Sequence, residues 1–284
     1  MSGHMFSSKN IGPVTRNQLE IIVNDLETRL GSSAIFSNPS IRNRTLGSSS
    51  ICLDGRLGKK DVMGDIDIAV SPISDDEATN LATIEHLLRE KYPTMEIRTR
   101  ASLKIVSLLY CLNSNHDVQI DFILGDYEVL KFMFTSPDPA HHTEYQKGFY
   151  RNFYISALTQ ALREIVKEND TPVAFAGPKL DRHKGITFEY RHHPIKKNGE
   201  GRVKQIKQIS REEFKKLYGR DIRLPVRTLS MPYEIISYFF PKSKLDIDEY
   251  DTVEAFRMAT SENYPKEIQE NIERRFKEIL ETSK

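Results

Sequence analysis

The chain has 284 residues, with 41 basic and 40 acidic side chains giving a formal net charge of +1. That length can bury a sizeable core and accommodates two domains, while the near-zero charge makes no global electrostatic case for a nucleic-acid partner. No apolar stretch approaches the length of a membrane span and no signal-peptide core is visible, so the chain reads as soluble with no membrane partner. Cys52 and Cys111 belong to no CxxC or Cys/His cluster. They fit a reducing, cytoplasmic compartment in which both are buried as small apolar side chains. The opening MSGHM reads as a cloning remnant ahead of a native start at Met5.

From Thr15 to Leu30, apolar residues at Leu19, Ile21, Ile22, Leu26 and Leu30 recur at near-helical spacing, and Gly31 supplies a stop. In RTLGSSS, Gly47 and Ser48 suit a turn into a helix N-terminus, where backbone N–H groups and hydroxyls approach phosphate oxygens closely. A Gly- and Lys-containing loop, LDGRLGKKDVMG, leads to a strand from Asp65 to Val70 bounded by Pro72. Asp75 and Asp76 open an amphipathic helix that runs to about Lys91. Their carboxylates favour the positive end of the helix dipole, so neither is assigned to metal. From Glu96 to Cys111 the chain is rich in Ile, Val, Leu and Tyr, and SNHD then turns it into Val118–Leu124, which predicts a hairpin.

Within these strands three carboxylates stand out. Asp65 and Asp67 alternate with apolar residues in GDIDIAV, so both project from one face with Cα atoms roughly 6.6 Å apart. Asp121 lies in VQIDFIL, on the face opposite Ile120 and Phe122. If the two strands pair, the three acidic side chains converge, and like charges held together call for a cation among them. Hard oxygen ligands favour Mg²⁺ or Mn²⁺, commonly shared with substrate phosphates.

Gly47-Ser48, then Asp-Ile-Asp in a β-like run, then a lone Asp in a later β-like run, resembles the nucleotidyltransferase superfamily. That superfamily includes DNA polymerase β, the CCA-adding enzymes, poly(A) polymerases, cGAS-like synthases and aminoglycoside nucleotidyltransferases. The resemblance covers roughly residues 15 to 130. The gap between Gly47-Ser48 and Asp65 is longer than the family usually has, with the extra length in LDGRLGKKDVMG. The resemblance implies an α+β fold, a nucleotidyltransferase-type mixed sheet backed by helices, over a catalytic domain at 5–135. It also implies transfer of a nucleoside monophosphate from an NTP to an acceptor hydroxyl, with release of pyrophosphate. Two cations about 3.5 to 4 Å apart serve such a reaction. Asp65 and Asp67 would bind both, Asp121 would hold the catalytic one and help activate the acceptor, and Gly47 and Ser48 would bind the nucleotide's phosphates.

The remainder, 136–284, is expected to be a mainly helical acceptor-binding or substrate-binding domain containing a β-hairpin. Pro137 and Pro139 mark a connector before a helix from about Thr143 to Lys167. Lys147 and Arg151 share a face of that helix and are the nucleotide-binding candidates by location; a solvated basic stripe is the competing reading. Tyr145, Tyr150 and Tyr154 read as core more readily than as base-stacking groups. His141 and His142 lack partners at zinc-ligand spacing. Residues 179 to 223 are enriched in Lys and Arg, and GITFEYRHHPIKKNGEGRVKQIKQI predicts two strands joined by a Gly-containing turn. Lys196, Lys197, Arg202 and Lys204 at its tip either hold the backbone of an RNA acceptor or protect an exposed edge. Met231–Phe240 and Val253–Leu280 read as helices, with Pro241 and Pro265 as punctuation.

Acceptors within the resembled class range from RNA, tRNA included, to a protein or a small molecule modified by a toxin-type or defence-type transferase. From a different class, the alternative is a non-catalytic nucleotide- or nucleic-acid-binding module on the same fold. Retention of all three carboxylates argues against it, because a binding module has no evident need for a costly acidic cluster.

Overall fold

The structure, a computed structural model, describes residues 5–6, 10–36, 40–55, 62–134, 145, 149–192 and 207–283. It divides into two compact units, Met1–Tyr150 and Arg151–Lys284. Both mix helices with sheet, so the fold class is α+β. No helix among the described residues is long and apolar enough to cross a membrane.

The first unit begins with β1 (Val14–Thr15) and α1 (Arg16–Leu30). Thr15 caps α1: its hydroxyl accepts from the Gln18 N–H while the Gln18 side chain accepts from the Thr15 N–H, satisfying donors that a helix start leaves unpaired. The helix ends where Gly31 donates to the Glu27 carbonyl at 2.9 Å. After α2 (Gly47–Leu53), β2 (Val62–Met63) pairs with β1, and β3 (Ile66–Val70) enters the main sheet. Asp76 caps α3 (Glu77–Lys91) by accepting from the Thr79 N–H at 2.9 Å, the structural role that its place in the sequence predicts.

The apolar run after α3 is two strands, β4 (Glu96–Arg100) and β5 (Ile105–Asn113), and β6 (His116–Leu124) and α4 (Tyr127–Phe134) follow. The sheet order is β3-β6-β5-β4, with β3 parallel to β6 and the other pairs antiparallel. One face of this sheet, carrying Ile66, Ile68, Val106, Leu108, Ile120 and Phe122, packs under Leu19, Ile22 and Leu26 of α1 and Leu81, Ile84 and Leu88 of α3. Ala69, Ile105 and Ile123, on the opposite face, meet Leu46 and Leu130 in a smaller apolar cluster.

Cys52 is buried as expected, but Cys111 is exposed. It lies on β5 opposite Asp117, one residue past Tyr110, where the strand has run beyond its buried stretch.

The second unit contains α5 (Phe149–Ala161), whose first two residues fall in the first unit, then β7 (Glu164–Glu168), β8 (Thr171–Asp181), β9 (Gly185–His192) and β10 (Lys207–Ile209). The expected hairpin is present as β9 and β10, with Lys207 opposite His192. It forms half of a four-stranded antiparallel sheet in the order β10-β9-β8-β7. The helix expected to reach Lys167 stops at Ala161; Glu164–Glu168 instead form β7, which Asn169 and Asp170, with φ of +48° and +62°, turn back into β8. Positive φ at two successive residues matches the twist of a tight hairpin, and Asn and Asp accept it more readily than other side chains.

Then come α6 (Arg211–Tyr218), α7 (Pro232–Phe239), α8 (Val253–Asn263) and α9 (Lys266–Thr282). Phe214 of α6 packs on Val173, Ala174 and Ala176 of β8. Tyr154 is buried between Phe256 and Phe276, so it belongs to the core.

Candidate metal centre

The parallel pairing of β3 with β6 sets the geometry. Its register places Asp67 beside Asp121, while Ile66 and Ile68 fall beside Ile120 and Phe122. Because side chains alternate, the four apolar residues enter the core beneath the helices and both carboxylates emerge on the other face. Asp65, immediately before β3 and two residues from Asp67, joins them. One carboxylate oxygen from each of Asp65, Asp67 and Asp121 lies within 4.8 Å of the others.

Asp121 has a relative exposure of 0%. A bare carboxylate at that depth is costly, and two neighbours on the same face offset the cost. Ser107, directly opposite on β5, donates its hydroxyl to Asp121 Oδ1 at 2.5 Å. Gln119, two residues earlier on β6, donates Nε2 to both carboxylate oxygens at 3.0 Å. The Gln119 amide is itself oriented, since its Oε1 accepts from the Met5 N–H at 3.0 Å. Asp67 differs in kind: burial first, then the charges of Asp65 and Asp121, push its carboxyl well above the usual carboxylate range. Burial and mutual repulsion within the cluster favour either a proton or a cation at Asp67.

Gly47 opens α2 beside this cluster with φ of +58°, in the left-handed region that favours glycine. A Cβ at Gly47 would stand 3.8 Å from Asp67 Oδ2, so the Gly47-Ser48 turn lies against the carboxylates. Local bonds fix it there. The Leu46 N–H donates to the Asp67 carbonyl at 2.9 Å, and Ser49 Oγ donates to the Asp65 carbonyl at 3.3 Å.

The structure therefore brings together Asp65, Asp67 and Asp121, with Gly47 and Ser48 alongside. Arg151 belongs to the second unit, where it is buried and its Nη1 donates to the Tyr250 carbonyl at 2.9 Å. Burial pushes its guanidinium down to about 10, with Asp251 opposing the shift. Lys147, and Lys196, Lys197, Arg202 and Lys204 of the expected basic tip, lie outside the described residues. Sequence reasoning missed Ser107 and Gln119. Gln119 carried a signal, a polar side chain two residues from Asp121 in an otherwise apolar strand and hence on the same face. Ser107 carried none until the register of β5 on β6 was known.

Comparison with known proteins finds no matching family model and no matching curated protein.

Proposed function

We propose that the protein is a metal-dependent nucleotidyltransferase, moving a nucleoside monophosphate from an NTP to an acceptor hydroxyl with release of pyrophosphate. The observation that carries this reading is the convergence of Asp65, Asp67 and Asp121 on one sheet face beside a glycine-initiated turn. The donor set fits Mg²⁺ or Mn²⁺, because it consists of carboxylate oxygens, the ligand type hard divalent cations prefer. The upward push on the Asp67 carboxyl is consistent with this, since after burial its causes are the charges of Asp65 and Asp121, which a bound cation would offset.

Asp65, Asp67 and Asp121 would hold the metal. Bound there, Mg²⁺ would neutralise charge on the transferring phosphoryl group and on the attacking and leaving oxygens. The remaining work of the chain is positional. Ser107 and Gln119 fix the Asp121 carboxylate, and the left-handed Gly47 lets backbone approach a phosphate without a side chain intervening. RNA is the favoured acceptor, on the strength of the Lys- and Arg-enriched stretch from 179 to 223.

The test is incubation with each α-³²P-labelled NTP and Mg²⁺ or Mn²⁺ in the presence of separated RNA, protein and metabolite fractions. Label entering the RNA fraction with the wild type, and none with Asp67→Asn, supports the reading. Label confined to protein or metabolite moves the acceptor to a toxin-type or defence-type activity. NTP binding without turnover on any fraction contradicts catalysis and leaves a nucleotide-binding module.

A further inference from the structure

The four-stranded sheet of the second unit is apolar on one face, where Ala174, Ala176 and Tyr190 meet Phe214. The opposite face is charged. Strand alternation puts Lys179 of β8 and Glu189 and Arg191 of β9 together on it. Arg163, just before β7, lies over Gly177, the residue opposite Glu189: a Cβ at Gly177 would come within 3.0 Å of the Arg163 Cα. Its guanidinium sits 4.5 Å from the ring centre of Phe175, the residue opposite Arg191.

The charges on this face do not balance. Glu189 is buried and is approached by Arg191 at 2.8 Å and Lys179 at 3.6 Å, so its single negative charge is already shared between two cations. Arg163 donates Nε to a neutral acceptor, the Pro178 carbonyl, at 3.1 Å. Arg275 of α9 donates Nη1 to another neutral acceptor, Gln160 Oε1 of α5, at 3.3 Å. Glu278, which also acts on Arg275, is bridged to Arg274 at 2.5 Å. The cations sense one another: Arg163 is pushed below its ordinary pKa by burial first, Glu189 opposes, and Arg275 and Arg191 push it further down. In addition, the Nε–H groups of Arg191 and Arg275 are buried and have no acceptor among the described residues.

We propose that this face, formed by Arg163, Lys179, Glu189 and Arg191 with Arg275 beside it, binds a phosphate group. A phosphate brings the missing negative charge and several acceptor oxygens, and guanidinium forks match its geometry with paired N–H···O bonds. Glu189 orients Arg191 and Lys179 but repels the ligand, so it limits affinity as well as ordering the site. The group is either free, as pyrophosphate or a nucleotide tail, or part of a nucleic-acid backbone. The site stands independently of the carboxylate centre.

The experiment uses the full chain in EDTA, so that no metal bound at Asp65, Asp67 and Asp121 contributes. Calorimetric titration with pyrophosphate and anisotropy with a short fluorescein-labelled single-stranded RNA serve as the two arms. Binding in the first arm alone identifies a free phosphate, and binding in the second identifies a backbone phosphate. In whichever arm binds, Arg163→Gln and Arg275→Gln should each weaken affinity about tenfold or more, Arg163→Lys should weaken it less than Arg163→Gln, and Glu189→Gln should tighten it. For RNA, each Arg→Gln change should also lower the slope of log K against log salt by about 1. Thermal melts verify folding; if Arg163→Gln does not fold, the half-buried Arg275 carries the test. No binding in either arm, or folded Arg→Gln variants that bind as tightly as the wild type, overturns the proposal.

Discussion

The carboxylates of Asp67 and Asp121 are neighbours on paired strands but are treated differently by their surroundings. Asp121 takes hydrogen bonds from Ser107 and Gln119, whereas burial and then the charges of its fellows push the Asp67 carboxyl well above the usual carboxylate range. Two predictions belong at this scale. Gln119→Leu takes two hydrogen bonds from the buried Asp121 carboxylate, so Mg²⁺ affinity should fall about 10- to 100-fold, and the melting temperature in EDTA should fall as well. Calorimetry of Mg²⁺ binding checks it; unaltered affinity would reduce Gln119 to packing. The second prediction concerns pH. A carboxyl whose folded pKa is raised stabilises the fold below its unfolded pKa of about 4, and that contribution is lost as pH rises through the folded value. In EDTA, the wild type should therefore lose stability relative to Asp67→Asn as pH is raised from about 4 into the neutral range, and saturating Mg²⁺ should shrink the difference. Parallel pH profiles of the two melting temperatures, with and without Mg²⁺, would count against a repulsive cluster at Asp67.

Among the elements, those whose ends carry local chemistry were the ones legible in the sequence. Gly31 marked the end of α1 and Asp76 the start of α3 through bonds made within a few residues, and such signals survive any tertiary context; the Thr15–Gln18 capping box at the start of α1 was equally local and was not read. The alternation of Asp65 and Asp67 with isoleucines, and of Asp121 with Ile120 and Phe122, gave the strands and the faces of their side chains. The parallel register that joins Asp67 to Asp121 was a condition of the argument, since nothing local specifies which strand lies beside which. β7 and β8 were not read, and the helix was carried through to Lys167, over β7. The pointer was there in Asn169-Asp170, a pair suited to positive φ between two strand-like runs. This yields a prediction: Asp170→Gly, placing the residue best suited to left-handed backbone at the second loop position, should stabilise the protein by about 0.5 to 1 kcal/mol. Urea unfolding measures it, and a neutral or destabilising outcome would show that the Asp170 side chain makes up for its backbone cost.

For the whole molecule, the length accommodated two domains and the resemblance implied an α+β fold; the structure is α+β and has two compact units, each with its own sheet and helices. The nearly neutral net charge concealed local imbalance of both signs, an acidic trio on the sheet of one unit and a basic group on the sheet of the other. Summed charge reports neither, because each arises from strand register bringing together residues scattered along the chain. The functional account rests on the acidic trio. Its most direct test is an anomalous difference map from crystals of the full chain soaked in MnCl₂. The account predicts a manganese peak within coordination distance of Asp65, Asp67 and Asp121 that disappears in Asp67→Asn. A map with no peak among these carboxylates, or one unchanged by the substitution, would contradict it.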